Sequence, residues 1–291
     1  MSRQHWTDRL LNAGAQPASR YRPEGFGDAA PPWARPAREA TECPVPPDDQ
    51  EQLERWLRWC RKEFGTAAGR VVAAPTRTFY PAGYRGSTEQ IEELVRRTAA
   101  VMGVVAPDLT VRYFESEAAE PGRGHRRRTT VGTYHDEDGR PVVSLDLRGR
   151  EDPARLTAII GHELAHVRLR GEGRVPAWER EEEKLTDFVT VYLGMGVFLA
   201  NAANTFTRTA RGWSALPMGD LTEQMLAGSF LAPSQHLGYL NERQFGYALA
   251  CWAALRGEPD PAWARHLAPT VHAQLLSGLA YLRHTGRVLD A

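Results

Sequence analysis

The segment His162-Glu163-Leu164-Ala165-His166 constrains this chain of 291 residues more than any other feature of its sequence. Asp152 and Pro153 predict a helix start just before it, because aspartate caps a first turn and proline suits the first helical position. Apolar residues then recur at helical spacing, so we expect a helix over residues 153–170. The two histidines would lie on one face of that helix, one turn apart. Their imidazoles can therefore bind one metal ion, with Glu163 close to a water on that ion.

A catalytic metal site of this kind needs a third protein ligand, and the next predicted helix offers one. Glu183 and Asp187 are four residues apart there, so one carboxylate can reach the metal while the other orients a histidine. Glu182 and Glu179 are alternative ligands. The simpler interpretation of these acids is a solvated helix face, and it applies best to Glu179, Glu181 and Glu182.

The order H-E-x-x-H and then Glu-x-x-x-Asp resembles the gluzincin metallopeptidases, a group of zinc enzymes. The resemblance implies that His162, His166 and Glu183 bind Zn²⁺ and leave one position for water. It implies that Glu163 is the general base and that Asp187 is the outer partner of a histidine, His162 being our choice. In such enzymes the metal lowers the pKa of its bound water toward 7.

A wider part of the chain, roughly residues 70–285, is similar to a bacterial group of uncharacterised zincin-like proteins. That similarity implies a metal-dependent hydrolase fold and brings no established substrate. The segments that carry it are residues 164–169, 185–201, 238–240 and 245–250.

We expect an α+β, mostly helical fold with two parts. Residues 1–47, which are rich in proline, predict an extended arm. Residues 48–291 predict a zincin-like catalytic core, with a small mixed sheet before the H-E-x-x-H helix and a helical C-terminal part. Sheet and metal helix would occupy residues 70–170, and the third-ligand helix and C-terminal part residues 178–291. The predicted strands are residues 109–114, 129–134 and 142–147, the last being our candidate for the edge that pairs with a substrate backbone.

Local patterns predict the remaining elements. Asp48 and Asp49 would cap a helix over residues 48–64, and Ser87 with Gln90 matches a capping box. The apolar run that follows Asp187 predicts a buried helix that is too short for a membrane span. Its glycines, residues 194 and 196, indicate close approach of a neighbouring helix, with the metal helix as the candidate. Residues 245–255, 260–264 and 270–282 predict further helices.

Composition excludes some classes of partner and favours one compartment. Lys plus Arg equals Asp plus Glu at 36 each, so no net charge favours nucleic acid or an acidic membrane. The basic loop 123–128 is expected to be solvated. The three cysteines show no C-x-x-C spacing, and the N-terminus shows no run typical of a signal peptide. We therefore expect a cytoplasmic protein with reduced thiols and with neither nucleic-acid nor membrane partners.

These observations predict a zinc-dependent metallohydrolase that cleaves a peptide or amide bond in a peptide or small amide substrate. The oxyanion that forms would need a donor besides the metal, and His236, Tyr239 and Tyr247 are candidates. Two alternatives remain open. One is a zinc-dependent biosynthetic or tailoring enzyme that acts on a small molecule, and the other is a non-catalytic zincin-like protein that binds a partner.

Overall fold

The computed structural model combines α-helices with a small three-stranded sheet. It describes residues 42–105, 109–115, 132–175, 182–210, 240–287 and 289, with the side chains of 182 and 204–210 left out. All of these residues belong to one unit, Ala37–Ala291. In chain order the elements are α1 (Pro47–Phe64), α2 (Thr88–Met102), β1 (Thr110–Phe114), β2 (Gly132–Glu137), β3 (Arg140–Asp146), α3 (Pro153–His166), α4 (Glu182–Thr190), α5 (Gly196–Ala210), α6 (Glu242–Leu255) and α7 (Pro269–Thr285).

Three shorter turns complete the described elements. Val167–Gly171 and Val191–Met195 are π-helical, and Ala262–His266 is a 3₁₀ helix. The mostly helical α+β prediction is confirmed at this level. The predicted arm, residues 1–47, lies almost entirely outside the described residues, as does the basic loop 123–128. Cys43, Cys60 and Cys251 all lie within them and form no disulfide.

Helix starts follow the sequence closely, with one exception. The side chain of Ser87 accepts a bond from the Gln90 amide, and Gln90 closes the predicted capping box. Asp152 caps α3 by accepting from the amides of residues 154 and 155. In α1, however, the N-cap is Pro46 and no side chain caps the helix. Asp48 and Asp49 lie in its first turn instead, where their negative charges interact favourably with the helix dipole.

The sheet has the order β1-β3-β2, with β3 parallel to β1 and antiparallel to β2. The expectation that residues 142–147 form the edge strand is therefore wrong, because β3 pairs on both sides. Asp138 and Gly139, each with positive φ, make the hairpin turn between β2 and β3, so β2 extends to Glu137. Within the described residues, β2 lies at the edge of the sheet.

The apolar run after Asp187 is buried, as predicted, but its close neighbour differs from the prediction. Gly194 has φ 96°, and a Cβ there would lie 2.2 Å from the carbonyl oxygen of Val71. The Gly194 carbonyl in turn accepts from the Ala73 amide at 2.9 Å. The absence of a side chain at Gly194 thus lets the segment that precedes α2 pack closely against it. The close neighbour is this segment and not α3, the helix that carries the two histidines. A Cβ atom on Gly196 would lie 3.0 Å from the side chain of Leu249 in α6.

One described helical run, Glu183–Ala203, is long and apolar enough to cross a membrane by length and composition. Its most apolar window is 94% buried inside the protein, which the core helix of a globular domain also shows. Around it pack α1, α3, α6 and α7, so this run forms the centre of the helical part.

Candidate metal centre

Three predicted ligands converge between α3 and α4. One ligand atom from each of His162, His166 and Glu183 lies within 4.8 Å of the other two. The Nε2 atom of His162 is 3.2 Å from Oε2 of Glu183, and Nε2 of His166 is 3.4 Å from the same oxygen. The helix of residues 153–166 turns both imidazoles to one side, and α4 brings the carboxylate up to them. Two imidazoles and one carboxylate are a donor set that Zn²⁺ accepts.

Each histidine also has a partner at its other ring nitrogen. Nδ1 of His162 lies 3.1 Å from Oδ1 of Asp187, as predicted for an outer partner. Nδ1 of His166 lies 3.4 Å from the hydroxyl oxygen of Thr186. Such contacts hold a proton on Nδ1 and direct Nε2 to the metal. The sequence reasoning missed Thr186, although its position three residues after Glu183 on a helix was a usable signal.

Glu163 lies under the sheet edge. Its side chain is buried, and a Cβ at Gly132, the first residue of β2, would lie 2.7 Å from Oε1 of Glu163. Ile159 crowds the same point at 2.8 Å. The carboxylate therefore contacts the backbone of an edge strand at a position where no other residue type fits without displacement. Sequence reasoning missed Gly132 because its importance depends on how the sheet packs on α3.

Burial and the ion pairs shift the pKa values of three groups in this site. Burial raises the pKa of Glu163, although both histidines oppose the shift. For His162, burial acts to lower the pKa, but hydrogen bonds to Asp187 and Glu183 outweigh it and raise the pKa to about 10. For Glu183, burial acts to raise the pKa, while bonds to the two histidines hold it well below its usual range.

Tyr134 of β2 forms a wall of the site. Its ring is stacked on that of His166, with ring centroids 6.1 Å apart and planes at 17°. The two histidine rings stand nearly perpendicular, at 84°. A Cβ on Gly171 would lie 3.3 Å from the tyrosine hydroxyl, so that hydroxyl lies toward the π-helical turn after α3. The edge strand thus follows the metal helix from Glu163 to His166.

The donors predicted for an oxyanion do not join this cluster in the described residues. His236 and Tyr239 lie outside them, so their roles stay predictions. Tyr247 is fully buried and its hydroxyl donates to Glu54 at 2.7 Å, so the prediction that it serves a substrate is wrong. Of the alternative ligands, Glu179 lies outside the described residues, as does the side chain of Glu182.

The arrangement brings together more groups than an ordinary buried salt bridge. It combines three convergent donors, an outer partner for each imidazole and a further carboxylate, Glu163, that is not among the converging ligand atoms. Glu183 retains 41% exposure of its side chain, so solvent reaches the cluster from that side. A structural zinc site, in contrast, is closed by four protein ligands.

Comparisons of this chain with protein-family models, with curated proteins and with solved structures found no match.

Proposed function

We propose that this protein is a zinc-dependent metallohydrolase of gluzincin type, with a zincin-like core, and that it cleaves a peptide or amide bond. The observation that carries the proposal is the convergence of His162, His166 and Glu183 within 4.8 Å, on two neighbouring helices. The carboxylate of Glu163 is available as a base beside this donor set. A purely structural metal would need no such base.

The side chains divide the work as follows. His162, His166 and Glu183 would hold the cation, which when bound supplies a Lewis acid for the carbonyl and an acidified water. Glu163 takes a proton from the attacking water and delivers it to the leaving nitrogen. Its buried surroundings raise its pKa, which brings a carboxylate nearer to the range suited to accepting and returning a proton. Asp187 keeps His162 oriented throughout.

Strand β2 is the part of the sheet best placed to pair with an extended substrate. It lies at the sheet edge in the described residues and contacts Glu163 at Gly132 and His166 at Tyr134. An exposed edge strand pairs with a peptide backbone through main-chain hydrogen bonds. A peptide held in this way would cross the site with its carbonyl groups close to the proposed base, which favours a peptide over a compact small molecule.

The test combines metal analysis with catalysis. Purified protein is expected to contain about one zinc per chain and to cleave members of a peptide library. Glu163→Gln should keep the metal and lose activity by about 10²- to 10⁴-fold, because it removes proton transfer alone. Glu92→Gln, a change of the same kind at an exposed position on α2, is the control and should behave like the native chain.

Three results would contradict parts of the proposal. Absence of bound metal, also after incubation with zinc, would overturn the whole site. Bound metal without cleavage of any peptide would overturn the substrate class and favour the tailoring alternative. Equal cleavage by the native chain and Glu163→Gln would remove the proposed base.

A further inference from the structure

We propose that Thr186 is a positioning residue that fixes His166 for metal binding, an inference that rests on the proposed function. Thr186 would act through His166 and would not touch the substrate. It would do for the second histidine what Asp187 does for the first.

The geometry of α4 puts three functional side chains on one face. Residues three and four apart on a helix are neighbours, so Glu183, Thr186 and Asp187 all face α3. Glu183 meets Nε2 of both histidines, Asp187 meets Nδ1 of His162, and Thr186 meets Nδ1 of His166. One turn of helix thus supplies the third ligand and an outer partner for each imidazole.

The contact between Thr186 and His166 is long, but it is buried. Thr186 has no exposed surface, and its hydroxyl oxygen is 3.4 Å from Nδ1 of His166. When that oxygen accepts from Nδ1–H, the lone pair of the neutral ring lies on Nε2, the atom that faces Glu183. Without an acceptor there, the ring can carry its proton on Nε2 and lose the metal-binding form.

The neutral character of Thr186 also suits the charge of the site. Glu163, Glu183 and Asp187 already bring three carboxylates to the two histidines. A divalent cation offsets two negative charges, so a fourth carboxylate at residue 186 would leave more uncompensated charge in a buried site. A hydroxyl supplies the acceptor without this cost.

Thr186→Val and Thr186→Ser separate the hydroxyl from the shape of the side chain. Valine keeps the branched shape and removes the acceptor, whereas serine keeps the hydroxyl and removes the methyl group. The control is Thr157→Val on α3, because Thr157 is equally buried and its hydroxyl donates to the carbonyl of Pro153 instead. Apparent zinc dissociation constants are measured by competition with a chelator, and the Co²⁺ absorption spectrum reports the ligand geometry.

We expect Thr186→Val to weaken zinc binding about 10- to 100-fold and to alter the Co²⁺ spectrum, as loss of an outer partner does. Thr186→Ser and Thr157→Val should stay near the native values. Native affinity in Thr186→Val overturns the inference and leaves the proposed function standing. Equal weakening in the valine and serine variants also overturns it, because packing would then be responsible. Absence of zinc binding by the native chain overturns both.

Discussion

The backbone N–H of Leu240 donates to Oδ2 of Asp187 at 2.8 Å, in a buried contact. Oδ1 of the same carboxylate lies against His162, so Asp187 joins α3 to the residue just before the cap of α6. A carboxylate held at both oxygens cannot swing away from the imidazole. The C-terminal helical part therefore contributes directly to the order of the candidate metal centre.

This contact can be removed without changing Asp187. Leu240→Pro deletes the amide hydrogen, and Leu240→Ala keeps it while removing the same buried side chain. We expect the proline variant to bind zinc about tenfold more weakly than the alanine variant, at the low end for the loss of an outer-shell contact. Chelator competition on both variants is the measurement. Identical affinities would mean that Asp187 is held by other contacts alone.

Metal uptake should release a proton near neutral pH. In the metal-free site Asp187 and Glu183 outweigh burial and raise the pKa of His162 to about 10, so at pH 7.5 this imidazole is protonated. The metal binds only the neutral ring, and the apparent affinity should therefore rise up to about tenfold per pH unit between pH 6 and 8. Calorimetry in two buffers of different ionisation enthalpy counts the protons. A count of zero, or affinity that falls with pH, would contradict this.

Gly132→Ala tests whether the sheet edge sets the position of Glu163. The new methyl group would meet Oε1 of Glu163 at 2.7 Å and Ile159 at 2.8 Å, so the carboxylate or the strand must shift. Peptide cleavage should fall at least tenfold while zinc affinity stays within about threefold, at a cost of about 1–3 kcal/mol in stability. Thr133→Ala, at the exposed neighbouring position, is the control. A fully active Gly132→Ala would show that the carboxylate has room to spare.

Glu54 is expected to make the free energy of unfolding depend on pH in the acidic range. It is 3% exposed, and although burial opposes the shift, bonds from Gln50, Tyr247 and Arg287 hold its pKa below the usual value. A depressed folded-state pKa adds stability above the unfolded-state value, and this stability is lost as pH falls through the folded-state pKa. The difference in unfolding free energy between the native chain and Glu54→Gln should thus be constant above about pH 5 and shrink below pH 4. Urea unfolding at several pH values measures it, and a constant difference throughout would contradict the assignment.

Local chemistry made much of this fold predictable. Helix capping depends on residues that are close together in the sequence. Both capped helices start where the sequence predicts, α2 after Ser87 and α3 after Asp152. Helical spacing placed His162 and His166 on one face, whereas the choice of Glu183 over Glu179 and Glu182 came from the resemblance to the gluzincins.

Relations between distant segments were not predictable in the same way. The central position of β3 depends on pairing with β1, and no pattern inside residues 142–147 distinguishes a central strand from an edge. The glycine at position 194 indicated that another segment approaches closely, but the sequence did not identify that segment as the one containing Val71. In the sequence Tyr247 is a candidate donor for substrate, although a packed residue is the simpler interpretation, and its burial and bond to Glu54 favour the packed residue.

The apolar run Glu183–Ala203 also affects the chain before it folds. A nascent or unfolded molecule exposes this apolar segment, and exposed apolar surface makes an unfolded chain prone to aggregate. Glu183, the proposed third ligand, lies at the start of this segment, so a cation bound there would favour the folded state by mass action. If the proposed zinc binds there, a sufficient zinc supply during synthesis would raise the fraction of molecules that fold, apart from any role in turnover of substrate.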